Sequence, residues 1–135
     1  MHAATLALVR RYYDAFNRAD MPAMLACLAP DVAHDINQGA REIGRDAFAA
    51  FMARMNRCYR ERLRDIVIMA TPDGARAAAE FVVDGTYLAT DEGLPPARGQ
   101  TYSLPGGAFL AIEAGLIARV TNWYSLPEWL RQVGG

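Results

Sequence analysis

Apolar residues recur at helical spacing through the first half of the chain. A helix predicted over Thr5–Asn17 has one apolar stripe, whose members are spaced three, four and three residues apart: Leu6, Val9, Tyr13 and Phe16. Asp20 suits the N-cap of a second, short helix, which Pro30 ends. A third helix is predicted over Asp46–Arg62, with arginines and Glu61 on its polar face and an apolar stripe of Phe48, Phe51, Met52, Met55 and Tyr59.

Strand-like patterns replace the helical spacing from Leu63 onward. A brief strand over Val32–Asn37 and a polar Asn37-Gln38-Gly39 turn precede the third helix, and four later segments predict strands in hairpin connection: "DIVIMA", "ARAAAEFVVDGTYLAT", "TYSLPGGAFLAIE" and "LIARVTNWYS". An interruption at Pro105-Gly106-Gly107 is expected to bend the sheet, and "LPEWLRQVGG" closes the chain as a short helix or tail. The pattern indicates an α+β domain in which a curved, antiparallel-rich sheet packs on one face against three helices, with a pocket between them.

The composition and net charge of the chain narrow the classes of molecule that it is expected to bind. The 135 residues fit one domain, residues 1–135, and a hydrophobic content of 53% with 21% charged residues is typical of globular proteins. The net charge of -1 gives no electrostatic footprint for nucleic acid or an anionic membrane, and no apolar run approaches the ~20 residues of a membrane span. We therefore expect a small-molecule ligand and, since no signal-peptide pattern opens the chain, a cytoplasmic location.

The sequence also lacks several strong chemical motifs. It has no glycine-rich phosphate loop, no histidine-carboxylate zinc spacing and no nucleophile elbow, so neither a cofactor nor a metal is expected. Cys27 and Cys58 fall among apolar helical positions, which is typical of core thiols.

The strand "AEFVVDGTY" alternates between an apolar and a partly acidic face. Under one interpretation, the face with Glu80 and Asp84 is solvated, as in many antiparallel sheets. Under the other, these carboxylates, ~13 Å apart along the strand, line the cavity. The apolar face would then pack against a second subunit in a homodimer and consists of Ala77, Ala79, Phe81 and Val83. Carboxylates buried in a cavity would have raised pKa values and could transfer protons near neutral pH.

Other candidate groups lie on neighbouring segments. His34 and Asp35 are adjacent, so on a strand at most one of them faces the pocket. His34 is either a half-buried structural histidine or the acid partner of a carboxylate. Asn122 and Tyr124 share a strand face and could supply polar groups to a ligand. The arginines of the third helix indicate a solvated, salt-bridged face, with a phosphate site as the alternative.

Three segments resemble the nuclear transport factor 2-like superfamily, in particular its ketosteroid isomerase-related or SnoaL-like proteins: "VRRYYDAFNRADMPAMLACLAPDV", "HDINQGAREIGRDAF" and "GLIARVTNWYSL". The resemblance implies a cone-shaped barrel, a cystatin-like roll in which three N-terminal helices pack on a strongly bent sheet. It also implies a cavity and a homodimer across the outer sheet face.

The resemblance assigns roles to individual positions. In steroid isomerases an aspartate base moves the proton, while a tyrosine and a protonated aspartic acid stabilise the dienolate oxygen. Tyr12 matches that tyrosine, whereas Ile36 stands at the base position and Gly107 at the second acid. Only one of three groups is matched, which argues against classical steroid isomerisation. The pocket-lining positions under this alignment are Ile36, Val82, Phe109, Asn122 and Tyr124.

Two functional hypotheses follow. The first is an enzyme that performs proton-transfer, lyase or hydrolase chemistry on a small polar molecule, with Glu80 or Asp84 as the base. In it, His34 is the partner or acid, and Tyr12 and Tyr124 donate hydrogen bonds to a substrate oxygen. The second is a non-catalytic module that binds a small molecule or dimerises.

Overall fold

The helices begin close to the predicted positions. The computed structural model describes residues 1–37 and 39–134, so Gln38 of the predicted polar turn and Gly135 of the closing segment lie outside it. The helices are α1 (His2–Asn17), α2 (Met21–Ala26), α3 (Arg45–Cys58) and α4 (Leu126–Val133). Asp20 caps α2 as predicted, because its Oδ1 accepts a hydrogen bond from the Ala23 N–H at 3.1 Å.

Six strands form one curved sheet and confirm the α+β class. The strands are β1 (Leu28–Asp35), β2 (Arg41–Ile43), β3 (Tyr59–Ala70), β4 (Arg76–Tyr87), β5 (Thr101–Glu113) and β6 (Leu116–Tyr124). Their order is β2-β1-β6-β5-β4-β3, with β1 parallel to β6 and all other neighbours antiparallel. The short strand β2 was not predicted, and β1 begins at Leu28 rather than at Val32.

The third helix ends four residues earlier than predicted. Tyr59 has extended backbone angles, and β3 pairs with β4 from Tyr59 opposite Tyr87 onward. The segment "YRERL" satisfies a strand pattern, because Tyr59, Glu61 and Leu63 alternate with arginines. Glu61 therefore lies on a strand and not on the polar face of a helix.

A bulge at Asp65 divides β3 into two halves. Between the pairs Arg64–Val82 and Val67–Glu80, β3 has one residue more than β4, and Asp65 adopts a φ of 55°. Before the bulge the odd-numbered residues, such as Leu63, point toward the helices. After the bulge the even-numbered residues do, and Ile66, Ile68 and Ala70 pack against the main core.

The apolar face of β4 belongs to the core, which corrects the predicted dimer face. We call the side of the sheet that packs against α1, α2 and α3 its inner face and the opposite side its outer face. Ala77 and Ala79 are 7% and 4% exposed in the main core, and Phe81 and Val83 pack against that core. Alanines fit here because their small side chains leave room for the helices above the strand.

Strand β5 runs without a break through Pro105-Gly106-Gly107, contrary to the predicted interruption. Its pairing with β4 is continuous from Thr101 to Ala111. The glycines serve close packing instead, since a Cβ at Gly107 would lie 2.9 Å from the Ala79 carbonyl oxygen.

A second, smaller core closes one end of the sheet. It contains Tyr87, Tyr102, Leu104, Trp129 and Val133, so the closing segment is a helix that docks on β5. The Tyr87 hydroxyl donates to the Pro95 carbonyl at 2.7 Å and accepts from the Asp91 N–H at 3.0 Å. These two bonds hold the segment between β4 and β5 against the sheet end.

Cys27 and Cys58 are buried free thiols, as predicted. No helix in residues 1–37 and 39–134 is long and apolar enough to cross a membrane.

Candidate functional site

An open depression of about 920 Å³ lies between the helices and the part of the sheet where β3 begins, β4 ends and β5 begins. The ends of α1 and α3, the start of α2 and the residues after β4 supply its apolar lining, which consists of Phe16, Met21, Met52, Met55 and Leu88. The charged lining consists of Arg18, Arg60, Glu61, Arg62 and Asp84. The mixture of an apolar wall with a few polar groups is what small-molecule sites usually show.

Glu61, Gly85 and Tyr102 occupy one row across β3, β4 and β5. Glu61 pairs with Gly85, and Gly85 pairs with Tyr102, so all three point to the inner face. A Cβ at Gly85 would overlap the Tyr102 ring, because the ring lies directly over this glycine. The Tyr102 hydroxyl thus reaches across β4 and donates a hydrogen bond to Glu61 Oε2 at 2.5 Å. We call this pair the Glu61–Tyr102 site.

The surroundings of the Glu61–Tyr102 site shift both pKa values upward. Desolvation by the pocket walls raises the pKa of Glu61, and the Tyr102 hydrogen bond opposes that rise. Glu61 is nevertheless exposed through the open mouth, and water there limits the shift. Burial, followed by the charge of Glu61, raises the pKa of Tyr102. Tyr102 therefore stays protonated as a donor, while Glu61 is a stronger base than an ordinary glutamate.

Tyr59 and Asp91 form a second hydroxyl–carboxylate pair beside the first. The Tyr59 hydroxyl donates to Asp91 Oδ2 at 2.8 Å, and Arg54 Nε lies 3.7 Å from Asp91 Oδ1. The Tyr59 ring stacks on Tyr87 with a centroid distance of 5.3 Å and an interplanar angle of 13°. Asp91 is only 8% exposed, so its contacts with Tyr59 and Arg54 compensate for its burial.

Tyr124 lies within the electrostatic reach of both carboxylates. Burial raises its pKa, a hydrogen bond with the Asn37 side chain opposes that rise, and the charges of Glu61 and Asp91 add to it. Its backbone N–H donates to Asn37 Oδ1 at 3.1 Å, and the residue is 40% exposed. Tyr124 is thus a third protonated hydroxyl near the Glu61–Tyr102 site.

His34 is packed inside the core instead of lining the depression. It is 2% exposed, and its ring centroid lies 4.8 Å from those of both Phe48 and Phe51. Its Nε2 lies 3.2 Å from the Asn122 side-chain amide, and its Nδ1 is buried without a hydrogen-bond partner in the described residues. Burial lowers the pKa of His34, against the opposing charge of Glu42. The predicted inward side chains of His34 and Asn122 do meet, but they meet below the depression.

Tyr12, the tyrosine matched to the steroid isomerases, is also in the core. It is 4% exposed, with ring centroids 5.0 Å from Tyr13 and 6.5 Å from Phe48. Desolvation by burial raises its pKa well above that of an ordinary tyrosine. It does not line the depression, and its role as a donor to substrate stays a prediction.

The carboxylates of β4 lie on the outer face of the sheet, as in the solvated interpretation of the sequence, although Asp84 also borders the depression. Glu80 is exposed, and Asp84 Oδ2 accepts a hydrogen bond from Arg64 Nε at 2.6 Å. Asp84 Oδ1 accepts from the Ser103 hydroxyl at 2.8 Å, and these contacts lower the pKa of Asp84. Of the two interpretations, the one with a solvated acidic face therefore agrees with the structure. The apolar residues of β4 pack beneath the helices, so the acidic residues point to the other side.

The predicted pocket-lining residues divide between the two faces. Val82 and Phe109 lie on the outer face, where Phe109 is 54% exposed. Ile36 follows β1 and accepts a backbone hydrogen bond from Gly39 at 2.9 Å. Asp35 binds Arg41 and Thr121, both at 2.6 Å, and does not reach the depression.

Sequence reasoning missed the four groups that the structure brings together: Tyr59, Glu61, Asp91 and Tyr102. The available signal was the alternation in "YRERL", which places Tyr59 and Glu61 on one strand face with Leu63. Tyr102 becomes a partner only through the register of three strands, and Asp91 lies in an irregular segment.

The fold is that of the nuclear transport factor 2-like proteins. A crystal structure of such a protein from Burkholderia pseudomallei, of unknown function, has a TM-score of 0.77 at 21% identity over 98% of both chains, a likeness of fold alone.

The chain belongs to the SnoaL-like domain family, whose sequence model matches residues 9–120. It is also similar to two crystal structures of proteins described as candidate polyketide cyclases. The protein from Pseudomonas putida is 66% identical, with a TM-score of 0.93 over 93% of this chain and 95% of that one. The protein from Xanthomonas campestris is 61% identical, with a TM-score of 0.94 over 97% of both chains. Comparison with curated proteins gives no match.

Proposed function

We propose that this small-molecule-binding SnoaL-like protein is an enzyme that abstracts a proton next to a carbonyl group, with Glu61 as the general base. One observation carries the proposal: the Glu61 carboxylate lies in the depression with a pKa raised by its surroundings, 2.5 Å from a protonated tyrosine hydroxyl. A base of raised pKa and a hydroxyl donor are the two groups that enolisation requires.

The proposed reaction balances without any other reactant. Glu61 takes the proton from the carbon, the carbonyl becomes an enolate, and Tyr102 or Tyr59 donates a hydrogen bond to the enolate oxygen. If a double bond is conjugated with the enolate, Glu61 can return the proton to the far carbon of that system, which is an isomerisation. Otherwise the enolate carbon attacks a second carbonyl carbon. In the second case a carbon–carbon bond forms, and the new alkoxide receives the proton from Glu61. The names of the two similar proteins favour this ring-closing branch.

Solvent exchange at an activated carbon tests the proton transfer without knowledge of the natural substrate. Aryl methyl ketones exchange slowly in D2O, and proton NMR follows their loss of signal with and without protein. We expect Glu61→Gln to lower the protein-dependent rate by about 100-fold or more. Glu80→Gln is the matched control, because Glu80 is an exposed glutamate of the outer face. If Glu80→Gln or Asp84→Asn removed the exchange and Glu61→Gln did not, the proposal for Glu61 would be refuted, and the base would be a carboxylate of β4, as the sequence predicts.

A non-catalytic binding module remains the second candidate function. The hydrogen bond between the Tyr102 hydroxyl and Glu61 Oε2 favours this candidate. A binding site can use a carboxylate that is already hydrogen-bonded, whereas a general base needs a free oxygen near the reacting carbon. Saturable binding of the ketones with no exchange above background by the unmodified protein would support this candidate.

We also infer a homodimer through the outer face, which the family resemblance implies, although the apolar residues of β4 predicted to form it belong to the core. Four large apolar side chains of this face are 47–55% exposed: Val67, Met69, Phe109 and Trp123. Several large apolar side chains exposed on one face of a sheet indicate an interaction surface. Light scattering at micromolar concentration should give a dimer, and Trp123→Glu should give a monomer. A monomer in the unmodified protein would refute the inference.

The cytoplasmic location expected from the sequence stays a prediction.

A further inference from the structure

Arginines dominate the uncompensated charge of the depression. Arg18, Arg60 and Arg62 line it, and Arg18 lies 3.5 Å from Asp20. Neither Arg60 nor Arg62 has a carboxylate within 4.0 Å in the described part of the chain. By the alternation along β3 their side chains leave this edge strand on the outer side, and both are exposed. Because they line the depression together with Asp84 of the outer face, the depression extends from the inner face around the edge of the sheet. Their guanidinium groups are available to a ligand there.

The two carboxylates that line the same depression are already engaged. Asp84 accepts hydrogen bonds from Arg64 at 2.6 Å and from Ser103 at 2.8 Å. Glu61 accepts from Tyr102 at 2.5 Å, and its remaining oxygen is required by the proposed function. A ligand therefore meets two unpaired guanidinium groups beside one free carboxylate oxygen.

The opposite wall is apolar and adaptable. Phe16, Met21, Met52 and Met55 line it, and methionine side chains adjust readily to flat or irregular ligands. An apolar wall and a cationic edge, separated by the Glu61–Tyr102 site, match a molecule with an apolar body and an anionic end.

We propose that the substrate is an amphipathic carboxylate, whose apolar body contacts the methionine wall and whose carboxylate is bound by Arg60 and Arg62. Arginine suits this role because its planar guanidinium can bind both carboxylate oxygens at once. The inference rests on the proposed function in one respect, since it assigns the ligand to the same depression. It replaces the expectation of a small polar ligand.

Two dyes that differ in charge test the inference. Dansylglycine carries a carboxylate and dansylamide does not, and both report binding by fluorescence. We expect the unmodified protein to bind dansylglycine more tightly than dansylamide. The double substitution Arg60→Gln/Arg62→Gln should weaken dansylglycine binding by about five- to tenfold and leave dansylamide binding unchanged.

Two control variants test whether the dyes bind in the depression and whether the effect of the double substitution is specific to its arginines. Arg10→Gln removes an exposed arginine of α1 outside the depression and should not change the affinity for either dye. Met55→Trp fills the apolar wall and should weaken both dyes. Equal affinities of the unmodified protein for the two dyes, a preference that survives the double substitution, or no saturable dansylglycine binding up to about 1 mM would each overturn the inference.

Glu61→Gln separates this inference from the proposed function. The substitution removes a negative charge from the depression, so dansylglycine affinity should stay the same or increase. Ketone exchange should be lost in the same variant. Exchange without a preference for dansylglycine would refute the carboxylate substrate alone, and a preference without exchange would refute the enzyme alone.

Discussion

The substitution Gly85→Ala tests whether the Glu61–Tyr102 site depends on an absent side chain. Gly85 pairs with Glu61 on one side and with Tyr102 on the other, and the Tyr102 ring covers it. A methyl group at this position would overlap the ring, so the ring must move away from β4. The hydroxyl of Tyr102 would then lose its 2.5 Å contact with Glu61.

The expected cost follows from how tightly Tyr102 is packed. The residue is 5% exposed, and its ring centroid lies 6.0 Å from that of Trp129, so it cannot move without disturbing the second core. Overpacking of a buried site costs about 1–3 kcal/mol. For a chain of 135 residues, a loss of about 2 kcal/mol corresponds to a fall in Tm of about 7 °C.

A double-mutant cycle distinguishes this clash from other effects of the methyl group. Urea denaturation gives the free energy of unfolding of Gly85→Ala, of Tyr102→Leu and of the combination. In the Tyr102→Leu background Gly85→Ala should cost less than about 0.5 kcal/mol, because alanine is otherwise preferred over glycine in a strand. Equal losses in the two backgrounds would refute the explanation, as would a Gly85→Ala variant of unchanged stability.

Three further predictions concern the carboxylates of Glu61 and Asp35 and the hydrogen bonds that Asn17 makes to the edge strand β3. Glu61→Gln should raise Tm at pH 7 more than at pH 4. The pKa of Glu61 is higher in the folded protein than in the unfolded chain, so stability falls as the pH rises from the unfolded to the folded pKa. A glutamine removes this loss of stability at pH 7. A larger effect at pH 4 in thermal scans would contradict the direction of the shift. Asp35→Asn should lower the free energy of unfolding at pH 7 by about 1 kcal/mol, a value reduced for the exposure of Arg41. Because Arg41 and Thr121 lower the pKa of Asp35 to about 2, this difference should shrink as the pH falls from 4 toward 2, and a loss independent of pH in urea denaturation would refute it. Asn17→Ala should cost about 2 kcal/mol and speed amide exchange at Leu63, since the Asn17 amide bonds both the Leu63 carbonyl at 3.0 Å and the Leu63 N–H at 2.9 Å. Asn56→Ala, at an exposed position of α3, is the control and should change neither quantity.

Local periodicity was sufficient for most elements of the fold. The helix α1, the cap at Asp20 and the alternation along β4 depend on neighbouring residues, and each is present in the structure, although the buried face of α1 includes Leu8 and Tyr12 rather than the predicted Leu6. Periodicity does not tell which side of a strand faces the helices. Alanines such as Ala79 look equally suitable for a dimer interface and for the space beneath α1, so the sequence alone leaves both orientations of Glu80 open.

The candidate site depends on contacts that are distant in the sequence. Tyr102 meets Glu61 across 41 residues, and Tyr59 meets Asp91 across 32. Neither pair forms a motif, because the register of β3, β4 and β5 creates the first and an irregular segment supplies the second. Glu61 was further hidden by a segment that satisfies both helical and strand spacing, since "RMNRCYRER" contains no residue that must end a helix.

The bulge at Asp65 has a consequence for how this protein could change. It reverses the direction of side chains along β3, so Glu61 and Ile66 both face inward although they are five positions apart. The segment up to Arg64 can therefore vary with the chemistry of a ligand, while the segment from Ile66 keeps filling the core. Deletion of Asp65 would give both segments of β3 one continuous alternation of side chains. A change of the residues beside the ligand would then also affect the residues of β3 that fill the core.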